Sequence, residues 1–168
     1  ALKWDDIPKP ELSVNQVLVD IKATSLNHLD IWVRKGIPGV HLPLITGSDA
    51  AGIISGVGDG VKKSRIGEKV MIQPLIFCGK CASCNKGKEN LCKSMGIMGE
   101  NCQGVNAERI TVKESQAIPF PDQLSFEAAA SFALVAQTSF QMLVSRANLE
   151  AGEFVLIWGA SSGVGSMG

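Results

Sequence analysis

The sequence predicts a mainly β domain with a metal-binding lobe set into it, followed by the first helix and strand of an α/β unit. Three observations carry this reading. Short apolar or alternating runs, broken by glycine and proline, fill the chain as far as Pro121. Four cysteines crowd into residues 78–92. Beyond Ser125 the period changes, and a helical pattern leads into an apolar run and a glycine-rich turn.

Taken in order, Asp5 to Leu12 is extended, because Pro8 and Pro10 remove donors and bias their neighbours away from helix. Gln16 to Ala23 alternates apolar and polar residues, the period of a half-buried strand. Asn27 to Lys35, with Leu29, Ile31, Trp32 and Val33, predicts a short helix stopped by Gly36. Ala50 to Val57 reads as a buried strand, Gly58 to Gly60 as a turn, and Glu68 to Gln73 as the next strand. The cluster Gly56-Val-Gly58-Asp-Gly60 imitates a phosphate loop. No helical pattern follows it, so it reads as a hairpin.

Asn106 to Val112 and Gln116 to Phe120 predict two further strands, closed by Pro119 and Pro121. Ser125 can cap one long helix, ending near Asn148, whose apolar residues include Ala128, Ala129, Phe132, Val135, Phe140 and Leu143. Glu153 to Trp158 is almost wholly apolar, as in a parallel strand covered on both faces. It runs into Gly159-Ala-Ser-Ser-Gly163-Val-Gly165, a strand–turn–helix placement suited to a nucleotide phosphate. One strand and an incipient helix cannot form a dinucleotide site. The 168 residues therefore read as part of a longer chain, inactive alone.

Cys78, Cys81, Cys84 and Cys92 follow the spacing C-x2-C-x2-C-x7-C, which lets four thiolates surround one tetrahedral Zn²⁺. Two-residue gaps make poor disulfides. Such a site has no open position, so the ion would be a structural staple, one per chain. Lys80, Lys86, Lys88 and Lys93 can offset its negative charge. Cys102 reads as a small side chain near the lobe.

Sixteen basic residues balance sixteen acidic ones, giving no electrostatic case for nucleic acid or an anionic membrane. The apolar runs fall short of a membrane span, and no signal peptide opens the sequence. Cysteines accounted for by metal fit a reducing, cytoplasmic setting.

The order of these features resembles the medium-chain dehydrogenase/reductase superfamily of zinc-type alcohol dehydrogenases and quinone oxidoreductases, over essentially the whole chain. The matching stretches are Ser25-Leu-Asn-His-Leu-Asp30, Pro43-Leu-Ile-Thr-Gly-Ser-Asp-Ala-Ala-Gly52, Gly58-Asp-Gly-Val61, Ile66-Gly-Glu-Lys-Val70 and the turn Gly159 to Gly165. The resemblance implies that residues 1–122 are a mainly β GroES-like catalytic domain, with its structural-zinc lobe at about 77–95. Residues 123–168 would then begin a truncated Rossmann domain. NAD or NADP would bind between the two, with Gly159, Ser161, Ser162, Gly163, Val164 and Gly165 at its phosphates and Thr138 at the nicotinamide amide. Family members are commonly dimers or tetramers.

The departures bear on function. Zinc-dependent members hold a catalytic metal with a Cys at the position of Asn27, a His at that of Ser48 and a third ligand shortly before Thr138. Here that last stretch reads Phe132-Ala-Leu-Val-Ala-Gln-Thr138. Amide and hydroxyl are weak zinc ligands beside imidazole and thiolate. The resemblance thus points to the quinone/enone reductase branch, where hydride passes from NADPH to an activated C=C or a quinone without a catalytic zinc. Asn27 and Ser48 are the candidate catalytic residues, Asn27 as a donor to a developing oxyanion. Asp30 keeps the family's Asp, and Asp49 takes the place of a Glu that stands behind the family's metal ligands; both read as structural. An alcohol dehydrogenase with substitute zinc ligands, acting on a carbonyl or alcohol, stays open. So does a non-catalytic, zinc-stapled binding module.

Overall fold

Val17, Val19, Ile54, Val70 and Ile72 alternate inward along their strands, and each is sealed from solvent. This pattern builds the five-stranded antiparallel sheet of the computed structural model, which describes residues 2–168. The strands are β1 (Gln16–Ser25), β2 (Asp49–Val57), β3 (Lys69–Ile72), β6 (Arg109–Lys113) and β7 (Ala117–Pro119), in the order β6-β1-β2-β3-β7. Val105 and Val112 complete the core on one face. On the other, Ala129 and Ala130 of α2 (Phe126–Ala130) seat against Ala51 and Phe120. Alanines there let the helix approach the sheet closely.

The expected strands as far as Pro119, the short helix α1 (His28–Lys35) and the glycine turn between β2 and β3 are present. Gly36, at a φ of 99°, stops α1 and returns its N–H to the carbonyls of Trp32 and Val33. A two-residue ladder, β4 (Leu75–Ile76) with β5 (Gly96–Ile97), closes the neck of the cysteine lobe. It is too short to leave a periodic signature.

Two expectations fail. The single helix from Ser125 to Asn148 is three pieces: α2, α3 (Ala133–Phe140) and a π-helical stretch Gln141–Arg146. The break has a cause. In an unbroken helix the Leu134 N–H would bond the Ala130 carbonyl; instead it bonds the Asp49 carboxylate at 3.0 Å. The Ser131 hydroxyl also turns back to the Ala128 carbonyl, at 2.9 Å. The second failure is the strand Glu153 to Trp158, which is irregular, with Phe154, Leu156 and Trp158 bare to solvent. A parallel strand needs a neighbour to take its N–H and C=O groups, and the described residues supply none. After it, Ser162 caps the short α4 (Gly163–Met167) by accepting the Gly165 N–H at 3.1 Å.

The segment before β2 is clamped. Gly104 donates to the Ile45 carbonyl at 2.7 Å, Val105 to that of Gly47 at 3.0 Å, and Asn106 to that of Thr46 at 3.0 Å. A Cβ on Gly104 would run into the carbonyls of Thr46 and Gly47. Gly104→Ala should therefore cost about 1–3 kcal/mol, seen as a lower urea midpoint at unchanged slope. An unchanged midpoint would mean that this contact is not close-packed.

Candidate active site and metal centre

β1 delivers Asn27 to the start of α1, and the clamped segment delivers Ser48 and Asp49 to the start of β2. Asp30, in the first turn of α1, accepts the Asn27 N–H at 2.7 Å with one oxygen and the Gly47 N–H at 3.0 Å with the other. The Asn27 amide nitrogen donates to Asp49 Oδ2 at 2.9 Å. Asp49 Oδ1 accepts from Leu134. One carboxylate thus joins the β1–α1 junction to the first turn of α3. Asp49 is 1% exposed. Burial pushes its carboxyl above the ordinary aspartate value, against the hydrogen bonds from Asn27 and Leu134, and the like charge of Asp30 adds to the rise.

Ser48 sits beside Asp49 in sequence but turns away from it. It is fully buried, and its hydroxyl donates to the Met98 carbonyl at 2.8 Å. This ties the start of β2 to the neck of the cysteine lobe rather than opening onto a cleft. Thr138 is exposed on α3, one turn beyond Leu134, and its hydroxyl donates to the Leu134 carbonyl at 2.9 Å. With Gln73, Leu75, Phe77, Phe132 and Leu134 it lines a cleft of about 960 Å³ between the lobe and α3.

The structure therefore brings Asn27, Asp49 and Leu134 together, with Thr138 near them and Ser48 apart. Asp49 is the member that sequence reasoning undervalued. The available signal was a carboxylate inside the buried run Ser48-Asp49-Ala50-Ala51, which must find partners.

In the glycine turn, Gly159 has a φ of 69°. A Cβ on Gly165 would strike the Gly159 carbonyl, and one on Gly163 would lie 2.9 Å from Val135. Glycine is needed at these places for the turn to close and for α4 to lie on α3.

The sulfurs of Cys78, Cys81, Cys84 and Cys92 lie within 4.8 Å of one another. Cys81 and Cys84 are 3.5 Å apart, and Cys78 and Cys84 3.9 Å. Four sulfurs bonded to one zinc at ~2.3 Å stand ~3.8 Å apart, so this set fits a tetrahedral ion. Left-handed Gly79 and Gly87 let the chain curl round the centre. Backbone N–H groups of Cys78 and Ser94 point at the Cys92 sulfur, at 3.5 and 3.4 Å. Hydrogen bonds from the Lys80 and Cys81 backbones pull the Cys78 thiol down to about 6, while desolvation, then the Cys81 thiol, push Cys84 up to about 12.

A β domain of this topology, with a four-cysteine lobe at its edge, is that of a medium-chain dehydrogenase/reductase. The alcohol dehydrogenase GroES-like domain matches residues 13–122, and the chain belongs to that family. L-threonine 3-dehydrogenase of Rhizobium etli is 32% identical over 100% of this chain and 49% of its own length. Crotonyl-CoA carboxylase/reductase of Cereibacter sphaeroides is 34% identical over 99% of this chain and 41% of its own. The crystal structure of an NAD-dependent alcohol dehydrogenase matches with a TM-score of 0.92 at 41% identity, over 97% of this chain and 48% of that one. The chain spans about half the length of the curated relatives it matches. Among the described residues no helix is long and apolar enough to cross a membrane.

Replacing Asp30 by Ala would leave the Asn27 and Gly47 N–H groups without their acceptor. The expected loss is about 1–3 kcal/mol, measured as a shift in the urea midpoint. Retention of full stability would show that these two bonds contribute little.

Proposed function

We propose that this chain is the GroES-like part of an NAD(P)H-dependent reductase of activated C=C bonds or quinones, with one structural zinc and no catalytic one. Residues 123–168 would open its nucleotide-binding unit. The observation that carries the reading is the Asn27–Asp49–Leu134 network. Where zinc-dependent members set soft metal ligands, an amide and a backbone N–H are engaged with a carboxylate. Similarity to a protein named crotonyl-CoA carboxylase/reductase supports an α,β-unsaturated thioester, or a related enone, as acceptor.

The bound nicotinamide supplies the hydride, and the protein's part is positioning and hydrogen bonding. Asn27 Nδ2 has a second N–H beyond the one given to Asp49, and it can meet an oxyanion developing on the acceptor. Apolar Leu75, Phe77 and Phe132 would exclude water from the cleft, with Thr138 at the nicotinamide amide. Backbone N–H groups of the turn Gly159, Ser161, Ser162, Gly163, Val164 and Gly165 would hold the phosphates. Ser48 acts as a tie between β2 and the lobe, not as a contact to substrate. Cys78, Cys81, Cys84 and Cys92 would hold the zinc, whose part would be confined to bracing the lobe.

The test is made on the chain carried in a protein of its relatives' length. Reduction of crotonyl-CoA, a cyclic enone or a benzoquinone is followed by loss of NADPH or NADH absorbance, with zinc counted by native mass spectrometry. One zinc per chain with enone or quinone turnover is the expected result. Cys84→Ser should release that ion and loosen the lobe; full metal occupancy in this variant would remove Cys84 from the ligand set.

Similarity to L-threonine 3-dehydrogenase and to an NAD-dependent alcohol dehydrogenase favours a second reading, oxidation of a secondary alcohol. Two zinc ions per chain and NAD⁺-dependent alcohol oxidation would decide for it.

A further inference from the structure

We propose that Asp49 is a positioning residue: its carboxylate fixes which end of the Asn27 amide faces it, and so leaves an N–H of that amide to meet the acceptor. The inference rests on the reading of Asn27 as donor to a developing oxyanion, and it assigns the group that makes Asn27 fit for that part.

The two ends of a primary amide have nearly the same shape and opposite character. One is an acceptor, the other carries two donors, and only the partners decide which way the group is turned. The Asn27 backbone is held by Asp30, whose carboxylate takes the Asn27 N–H at 2.7 Å and whose own N–H goes to the Asn27 carbonyl at 3.0 Å. Those bonds place the stem and leave the amide to turn about its own bond. Its partner across the fold is Asp49 Oδ2, at 2.9 Å from Asn27 Nδ2. An ionised carboxylate has no proton to give and can only accept. It takes the NH₂ end and repels the carbonyl end, and one N–H remains beyond the one it uses.

Asp49 does this without touching a ligand. It is 1% exposed, and both of its oxygens are engaged. The Leu134 N–H, at 3.0 Å from Oδ1, keeps the carboxylate from rotating. Asn27 is only half-buried, so its amide stands between the sealed carboxylate and the open side.

This arrangement makes one substitution specific. Asp49→Asn keeps the shape of the side chain and a single acceptor oxygen. The Leu134 N–H can bond only to that oxygen, which turns the new NH₂ group toward Asn27. Asn27 must then offer its carbonyl oxygen to it, and an amide that would stabilise an oxyanion now opposes one.

The test uses the chain carried in a protein of its relatives' length, with cyclohexenone and NADPH or NADH as probes. Asp49→Asn should lower kcat on the order of 10²-fold, the cost of losing one oxyanion donor, with KM nearly unchanged. Asn27→Ala should cost about as much, and the double variant no more than either, because both remove the same device. In the NMR spectrum of the isotope-labelled protein, one side-chain amide proton of Asn27 should be shifted downfield by the carboxylate and lose that shift in Asp49→Asn. Full kcat in Asp49→Asn overturns the positioning role, as do losses that multiply in the double variant. So does an Asn27 amide with no such shifted proton in the unaltered protein, a reading that needs neither turnover nor a variant to fold. The functional reading fails separately, if the unaltered protein reduces neither enone nor quinone; the amide signal then still decides whether Asp49 sets the orientation.

Discussion

A single carboxylate decides where one helix ends and the next begins. Asp49 takes the Leu134 N–H out of the run that starts at Ser125, so the chain must stop, pivot at Ser131 and Phe132, and start again as α3. The same group fixes the Asn27 amide at the mouth of α1. Neither element could be placed alone. Asn27 depends on Asp49 for its side chain and on Asp30 for its backbone, while Asp30 also holds Gly47, two residues before Asp49. The candidate active site is thus a closed ring of hydrogen bonds between two segments, Asn27–Asp30 and Gly47–Asp49, to which α3 is tied through Leu134.

The cysteine lobe attaches to that frame through few contacts. The β4–β5 ladder joins its ends, and Ser48 reaches from the start of β2 to the Met98 carbonyl just past β5. Between these points the lobe has only two short 3₁₀ turns and one buried cysteine, too little apolar surface to fold by burial. Its order must come from the sulfur cluster. That Ser48 and Asp49 are neighbours pointing to opposite sides follows from strand geometry: one serves the lobe, the other α3.

Legibility in the sequence followed the range of the interaction. Strands such as Gln16–Ser25 and the stop of α1 at Gly36 are local matters of period and φ, and their residues announce them. The cysteine spacing is local too, since the four residues fall within fifteen positions. The break at Ser131 could not be read because its cause is a bond from Leu134 to Asp49, 85 residues back along the chain. Apolar periodicity runs straight through it. Glu153 to Trp158 shows the opposite limit. Its composition states a demand for strand partners, and composition cannot say whether they are present. Ser48 was legible as a polar residue in a buried run, but its direction depended on which side of the pleat the register put it.

Magnitudes separate the stiff part of the molecule from the soft one. A structural zinc bound by four thiolates contributes on the order of 10–16 kcal/mol in small peptide sites. A hydrogen bond to a charged group contributes about 1.5–3 kcal/mol, and at Asp49 burial of the charge offsets part of that. With the proposed ion in place, the lobe wall of the cleft would be the more strongly braced of the two. Leu134 and Thr138 lie on the α3 wall, whereas Asn27 stands at the head of α1. The bond from Leu134 to Asp49 is thus a tie between the α3 wall of the cleft and the sheet.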